Sequence, residues 1–353
     1  MSTPRFHRSL RVAALVLGLC AQGAEARAEA LAGCPDDAGL TRAAAQLLLE
    51  DDRQVSGAIA RALRAAGSDA VGVRALFVEE GRGDAAIAKW LDERRAAADA
   101  RMICGEAFSQ KGRLVMATAS GGGLTELSPE ASSVRGWLAP DFRDAHLVII
   151  DADGALSRHH VTPASLAEGV PIPKDLERPA LVQLMASGRS GPRPIAERVA
   201  PGPGGDTAIA GRHAPPPAAS KEHAQRSIKG SLNRLRRARG KRPVRRNRLL
   251  RDAARRHARE VCDSGRVAHV LASGEDPSER LKRFGVSAGL VGETVARAAG
   301  PGAAFDALQR SPAHLATMLG ERFTDAGVGL SRDDAGKTCM VVVLASWPRY
   351  VGR

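Results

Sequence analysis

The sequence predicts an α+β protein built in successive blocks, and three observations carry that reading. Residues from about 35 to 105 place apolar side chains at helical spacing. Residues from about 125 to 200 change to short apolar runs separated by tight turns, the pattern of strands. Beyond a stretch rich in Pro, Gly and Ala, residues 223–353 mix amphipathic helices with one strongly apolar strand. A length of 353 residues allows two or three domains.

The first 28 residues read as a secretory signal peptide. Arg5, His7, Arg8 and Arg11 make a basic start, and residues 12–19 (VAALVLGL) are uninterrupted apolar. Ala24-Glu25-Ala26 and Ala26-Arg27-Ala28 then offer small residues at cleavage spacing. The apolar run is too short for a permanent membrane helix, which needs about 20 residues. The basic, apolar, small order favours a signal peptide over a buried N-terminal helix. It predicts a secreted chain, in the periplasm, at the cell surface or in the medium. Leu31-Ala32-Gly33-Cys34 resembles a lipoprotein cleavage box, but Glu25, Arg27 and Glu29 separate it from the apolar run that a true box directly follows. No later segment is long and apolar enough to be a transmembrane helix.

Of the five cysteines, Cys20 leaves with the signal peptide. Cys34, Cys104, Cys262 and Cys339 remain, with no C-x-x-C pair that would suggest a thiolate zinc site or a redox motif. An even number in an oxidising compartment predicts two disulfides. Pairing in chain order gives Cys34–Cys104 and Cys262–Cys339, one per domain, each closing a long loop and contributing roughly 4 kcal/mol. The net charge is +13. Such a chain can be drawn to anionic surfaces through its basic helices. GC-rich coding gives the same excess of Arg, Ala and Gly, and this plainer reading is preferred, because no nucleic-acid motif is present.

Residues 29–122 form a helix-rich α/β region. Helices are expected over 40–49, 58–66 and 85–100, with Gly67-Ser68, Gly81 and Gly83 between them and a strand at 113–118. Residues 123–200 are expected to form a small Ig-like β-sandwich, with strands at 134–138, 146–150, 155–161, 180–187 and 194–199. Asp151-Ala152-Asp153-Gly154 lacks the remaining ligands of a calcium loop and reads as a hairpin turn. Residues 201–222, with Pro215-Pro216-Pro217, form an extended linker.

The last block, residues 223–353, opens with a helix over 228–239, Leu232 and Leu235 facing inward. A second helix over 247–263 spaces Leu249, Ala253, His257 and Val261 about four apart, so His257 reads as a packing residue. The basic residues between Arg226 and Arg259 fall mostly on the remaining faces, as solvated surface. Helices follow at 276–284, with Pro277 at its start and Gly285 after its end, and at 301–310. Ser311-Pro312 opens another as N-cap and first-turn proline. Strands are expected from 322 to 330 and from 339 to 346, the latter apolar enough to be central in a sheet.

The order of motifs here resembles the CAP superfamily, the cysteine-rich secretory, antigen 5 and pathogenesis-related proteins, in its bacterial SCP-like extracellular form. The pieces are Leu232-Asn233, the Ala-rich helix with His257, His269, Gly292-Glu293, Ser311-Pro312-x-His314, and Phe323-Thr324-x-x-Gly327-Val328-Gly329. The resemblance covers about 225–350 and implies an α-β-α sandwich. It implies a cleft with His269, His314 and Glu293, the second acid position of many members falling near Ser311. Thr294 stands where Asn is usual, and Leu308 where Trp is common. Two imidazoles and a carboxylate are a ligand set for Zn²⁺ or another divalent cation, with one position left open. His314, in the first turn of its helix, is expected to be neutral beside the helix dipole. In the competing structural reading both rings only hydrogen-bond to Glu293 and neighbouring backbone.

Other enzyme signatures fail on context. Gly285-Val286-Ser287-Ala288-Gly289 matches G-x-S-x-G, but a nucleophile elbow needs a strand before the Ser and a helix after it. H-E-x-x-H is absent, as are Walker and Rossmann glycine patterns in the places they require. A faint internal likeness links residues 60–67, 85–91 and 104–118 to 279–285, 304–308 and the Cys339 strand, as in a degenerate repeat. The expected function is a non-catalytic, secreted or cell-envelope binding protein. It would hold a small apolar, lipid-like or envelope-derived ligand, with a divalent cation at His269, Glu293 and His314. The alternatives are a metal-assisted hydrolase using a Zn-bound water, Glu293 serving as ligand or base, and a structural module with a vestigial cleft.

Overall fold

The computed structural model describes residues 31, 33–49, 58–79, 83–205 and 221–347, in two compact units, residues 1–121 and residues 122–353. The signal peptide, Cys20 and residues 206–220 of the linker lie outside the described residues.

In the first unit, helices α1 (Ala38–Leu49), α2 (Ala58–Ala65) and α3 (Asp84–Ala97) accompany strands β1 (Arg74–Glu79), β2 (Arg101–Ser109) and β3 (Gly112–Ser120). The sheet order is β1-β3-β2, all antiparallel. Strand β3 is central and alternates between two cores. Leu114 and Met116 pack with α1 and α2, while Val115 and Ala117 pack with α3. The sequence announces one strand here and the structure holds three. β1 carries Arg74 and Glu79 at its ends, and β2 is interrupted by Gly105-Glu106, which hides both from an apolar-run search. The Cys34–Cys104 disulfide, with a Cα–Cα distance of 5.7 Å, ties the segment before α1 to β2. It also places the Cys34 sulfur in a bridge and not in a lipid thioether.

The second unit begins with β4 (Gly122–Leu124), β5 (Ser133–Val134), β6 (Gly136–Leu138), β7 (Arg143–Ile150), β8 (Leu156–His160), α4 (Pro163–Glu168), β9 (Val170–Pro171), β10 (Ala180–Gly188) and β11 (Gly191–Ala200). One antiparallel sheet has the order β11-β10-β7-β8, and β4–β6 and β5–β9 form short ribbons. The turn after β7 is hairpin chemistry. Asp151 Oδ1 accepts the Ala155 N–H at 2.6 Å, and Gly154 adopts φ 77°. Helix α4 starts with a reciprocal Thr162–Ser165 capping box that the sequence reading passes over.

The rest of this unit is α5 (Lys221–Ala238), β12 (Arg245–Arg246), α6 (Arg248–Ser264), α7 (Pro277–Arg283), β13 (Leu290–Ala298), α8 (Pro301–Arg310), α9 (Pro312–Leu319), β14 (Asp325–Arg332) and β15 (Thr338–Ser346). The sheet order is β12-β14-β15-β13, with β12 parallel to β14 and the other pairs antiparallel. The period of two in β15 builds both cores. Met340, Val342 and Leu344 face α5, α8 and α9, whereas Cys339, Val341, Val343 and Ala345 face α6 and α7. This is the α-β-α sandwich, and β15 is its central strand. Ile150, at the end of β7, belongs to the first of these cores.

Two glycines set the distance between α6 and β14. A Cβ at Gly327 would lie 2.1 Å from the Arg251 nitrogen, and one at Gly329 would lie 2.1 Å from the Ala254 carbonyl carbon. Both are backbone atoms, so no side-chain rotation relieves the clash. The Cys262–Cys339 disulfide then joins the last turn of α6 to β15. On the other face, Asn233 holds the loop after α5, its Nδ2 donating to Val244 O and its Oδ1 accepting from Val244 N, both at 3.0 Å. Arg236 departs from the solvated-surface expectation. It is fully buried and donates to the carbonyls of Arg242 (2.8 Å), Met318 (2.6 Å) and Gly320 (3.1 Å). Gly329→Ala should lower stability by at least about 1–3 kcal/mol through overpacking of the α6–β14 contact. Urea denaturation of the full chain measures it, and a loss under about 0.5 kcal/mol, the range of a surface substitution, would contradict the contact.

Candidate functional site

Glu293 lies in β13 on the face covered by α6 and α7, with a side chain 1% exposed. A carboxylate so placed requires partners. Arg280 of α7, 3% exposed, donates from Nη2 to Oε1 and Oε2 of Glu293, both at 2.8 Å. Its Nη1 donates to the carbonyls of His269 at 2.8 Å and Glu275 at 2.7 Å. His269 Nδ1 lies 2.9 Å from Glu293 Oε1, and since a carboxylate only accepts, this nitrogen carries the proton. Burial pushes the pKa of Glu293 upward. The hydrogen bond from His269 and the charges of His269, Arg280 and His257 outweigh it and hold the carboxyl below its ordinary range.

His257 belongs to this cluster as well as to the core. It is fully buried on α6, and its Nε2 donates to the Ala268 carbonyl at 3.0 Å, fixing the residue before His269. Its Nδ1 lies 3.1 Å from Glu260 Oε2, and its Nε2 lies 3.7 Å from Glu293 Oε1. His257 thus positions the loop that carries His269.

His314 is the third residue of α9 and is partly buried, with no hydrogen bond to its ring among the described residues. Burial, and then the charge of His269, push its pKa down to about 3. The ring is neutral at physiological pH, as expected, but burial is the main cause where the sequence argument invokes the helix dipole. Ser311 is the N-cap of α9 by position, yet its side chain makes no cap bond. The cap comes from Gln183 of β10, whose Oε1 accepts the Ala313 N–H at 3.2 Å and the Ser311 hydroxyl at 3.4 Å. Gln183 is 2% exposed, and its Nε2 is held by Glu197 Oε2 at 2.8 Å.

The tip of the β10–β11 hairpin closes the cluster from the same side. Ser190 O accepts the Val270 N–H at 3.1 Å, and Arg266 Nη2 reaches Ser190 Oγ at 3.4 Å. A Cβ at Gly191 would stand 3.0 Å from His269 Cβ. The hairpin tip therefore rests on the loop that presents His269.

The structure brings His269 and Glu293 together and places His314 near enough to feel the charge of His269. Both oxygens of Glu293 are taken by Arg280, and among the described residues no group of three His, Cys, Asp or Glu could hold a metal ion. Thr294 is fully buried, and its Oγ1 has no partner among the described residues; Leu308 is plain core. Ser287 of the G-x-S-x-G match is exposed after a helix and before a strand, the reverse of an elbow.

Sequence reasoning missed Arg280, Gln183 and the positioning role of His257. A signal existed for two of them. His257 is a polar residue on the inward stripe of α6, and Arg280 adjoins the buried Leu281 in a short helix fixed by an Asp276–Glu279 capping box. Gln183 lies about 130 residues from its partners in α9 and had none.

The pKa of His314 gives a pH test. Unfolded His takes up a proton near pH 6.5, but folded His314 does so only near pH 3. Stability should fall as pH drops between these values, by at most about 1.4 kcal/mol per unit for this residue. Glu293, with its lowered pKa, contributes stability above the ordinary carboxylate pKa that is lost only as pH falls through its folded value. His314→Phe should flatten the slope between pH 6 and 4.5 in urea denaturation, and an unchanged slope would contradict a buried neutral ring.

Residues 230–345 match a family model described as CAP: Cysteine-rich secretory protein family. Solved structures similar to the chain include an outer surface protein from Borrelia burgdorferi, at 16% identity over 39% of this chain and 100% of that one, with a TM-score of 0.35. An extracellular protein containing a SCP domain from Bacillus anthracis is 16% identical over 54% of this chain and 64% of that one, TM-score 0.33. A cysteine-rich secretory protein from Staphylococcus aureus is 13% identical over 55% and 64%, TM-score 0.31. The chain thus spans less than two thirds of the last two. Comparison with curated proteins finds no match.

Proposed function

The stretch from residue 230 to residue 345 is a CAP domain of the cysteine-rich secretory protein family, and from that premise we propose that the chain is an exported, non-catalytic binding protein of the cell envelope. Export is supported by the N-terminal basic, apolar and small residues and by two disulfides. No described helix is long and apolar enough to cross a membrane.

The observation that carries the non-catalytic reading is the internal satisfaction of the cleft. Glu293 is spent on Arg280 and His269, the first turn of α9 is capped by Gln183, and the hairpin tip covers the His269 loop. Metal-assisted hydrolysis needs protein ligands free to bind and an open position for water. Here the carboxylate of that set, Glu293, is already engaged by Arg280 and His269, so no step is assigned to a metal. The buried carboxylate accepts three hydrogen bonds, and through Arg280 it fixes the backbone at His269 and Glu275.

Calorimetric titration of the full chain with Zn²⁺, beside His269→Ala and His314→Ala, tests this reading. Equal, weak binding by all three is expected, with no turnover of ester, peptide or glycan substrates. Tight zinc binding abolished by both substitutions, accompanied by turnover, would establish the hydrolase instead. Gln183→Leu should cost about 1–3 kcal/mol in urea denaturation, because Ala313 N–H loses its acceptor and Glu197 loses one donor. A neutral result would show that the sheet does not hold α9.

A further inference from the structure

The opposite edge of the CAP sheet, away from the His–Glu–Arg cluster, carries a second feature. Between α5, β12, the first turn of α6 and β14 lies a cavity of about 350 Å³. Gln225, Arg226, Lys229, Arg246 and Arg251 line it together with Gly327 and Val328 of β14, and most of the wall surface is apolar. No acidic side chain lines it among the described residues. Strand β12 pairs with β14 only at Arg245–Asp325 and Arg246–Ala326, so beyond Ala326 the cavity takes the place of a neighbouring strand.

Every charged group here is a donor. Arg226 and Lys229 sit three residues apart on α5, a spacing at which like charges repel. Neither they nor Arg246 make an ion pair among the described residues, and Arg251 is tied to Asp252 only through Nε (3.0 Å) and Nη2 (2.7 Å), leaving Nη1. Gln225 makes this a built site and not merely a basic surface. It is 7% exposed, and its buried Nε2 has no hydrogen-bond partner among the described residues. A buried amide donor without an acceptor is rare unless something else supplies one.

We propose that this cavity binds a phosphoryl ester, the head group of an envelope-derived ligand. Guanidinium forks and an ammonium suit phosphate oxygens, and a phosphomonoester brings about two negative charges against the four cations where a carboxylate brings one. The volume sits at the low end of small-molecule pockets, of about 300–1,000 Å³, so it takes a phosphate with a small group attached. No aromatic ring lines it, so nothing offers a base a stacking surface. The site is independent of how the His–Glu–Arg cleft is read.

The phosphoryl group can belong to a soluble ester or to a lipid, and two probes separate these sources. The full chain is titrated with glycerol 1-phosphate by calorimetry, and in parallel floated with phosphatidylcholine vesicles containing phosphatidic acid. Saturable binding of either probe is expected. It should weaken at least tenfold in Arg226→Ala/Lys229→Ala, and less than twofold in Arg322→Ala/Arg332→Ala, which removes the same charge from exposed positions elsewhere. Arg246→Glu, in the exposed two-residue β12, should repeat the loss without touching α5. Binding of glycerol 1-phosphate identifies a soluble ester, and binding of vesicles alone identifies a lipid head group. No saturable binding of either probe, or an equal loss in both double variants, overturns the proposal.

Discussion

Helix α6 rests on β14 with backbone against backbone, and the rest of the CAP domain is arranged around that contact. It exists because residues 327 and 329 have no side chain on the helix-facing side, where a Cβ would enter the backbone of Leu250–Arg251 or Ala254–Arg255. With the helix this close, its inward stripe of Leu250, Ala253, Ala254, Ala258 and Val261 fills the space against β15 with small side chains. The same approach brings His257 to Ala268, and Ala268 precedes His269. A steric allowance on one strand thereby sets the position of a ring presented at the other edge of the sheet. The disulfide from Cys262 to Cys339 also ties the end of α6 to β15.

The second constraint is electrostatic. A carboxylate 1% exposed is costly unless its oxygens are filled, and Arg280 fills both while its other nitrogen holds two backbone carbonyls. Removing one partner of such a pair leaves a buried unpaired charge, so each residue keeps the other in place. His269 adds a third hydrogen bond, and the pKa of Glu293 falls despite burial. The cleft polarity is therefore resolved within the chain. The pairing with Arg280 and the hydrogen bond from His269 hold Glu293 in its ionised state.

What the sequence reveals follows from how far each interaction reaches. The longer helices of the CAP domain and the strand over 339–346 are legible because each repeats a period of 3.6 or 2 over eight or more residues, and the seven-residue α7 because Pro277 and Gly285 mark its ends. β13 carries no such signal, since Gly292, Glu293 and Thr294 interrupt its apolar run. The cysteine pairing is legible because chain order and one bridge per domain suffice. His269, Glu293 and His314 are legible as residues, but their arrangement is not. Arg280 is one basic residue among many in a chain of net charge +13, and only burial separates it from the solvated majority. Arg236 illustrates the same blindness, being inward on α5 and bound to the carbonyls that end α9.

The sheet that precedes the CAP domain completes the argument. Ile150 enters the core beneath α5, α8 and α9, and Gln183 takes over the capping that Ser311 leaves undone. Ser311 is the residue near which the resemblance to the family implies a second acid. A carboxylate there would face Gln183 Oε1, an acceptor already turned toward Ala313 N–H, so the serine and the glutamine are matched. Capping by a neutral amide also adds no negative charge beside His314, whose buried ring stays uncharged. Of the residues expected in an open cleft, Glu293 is an interior group held by Arg280 and His269, while His269 and His314 are only partly buried.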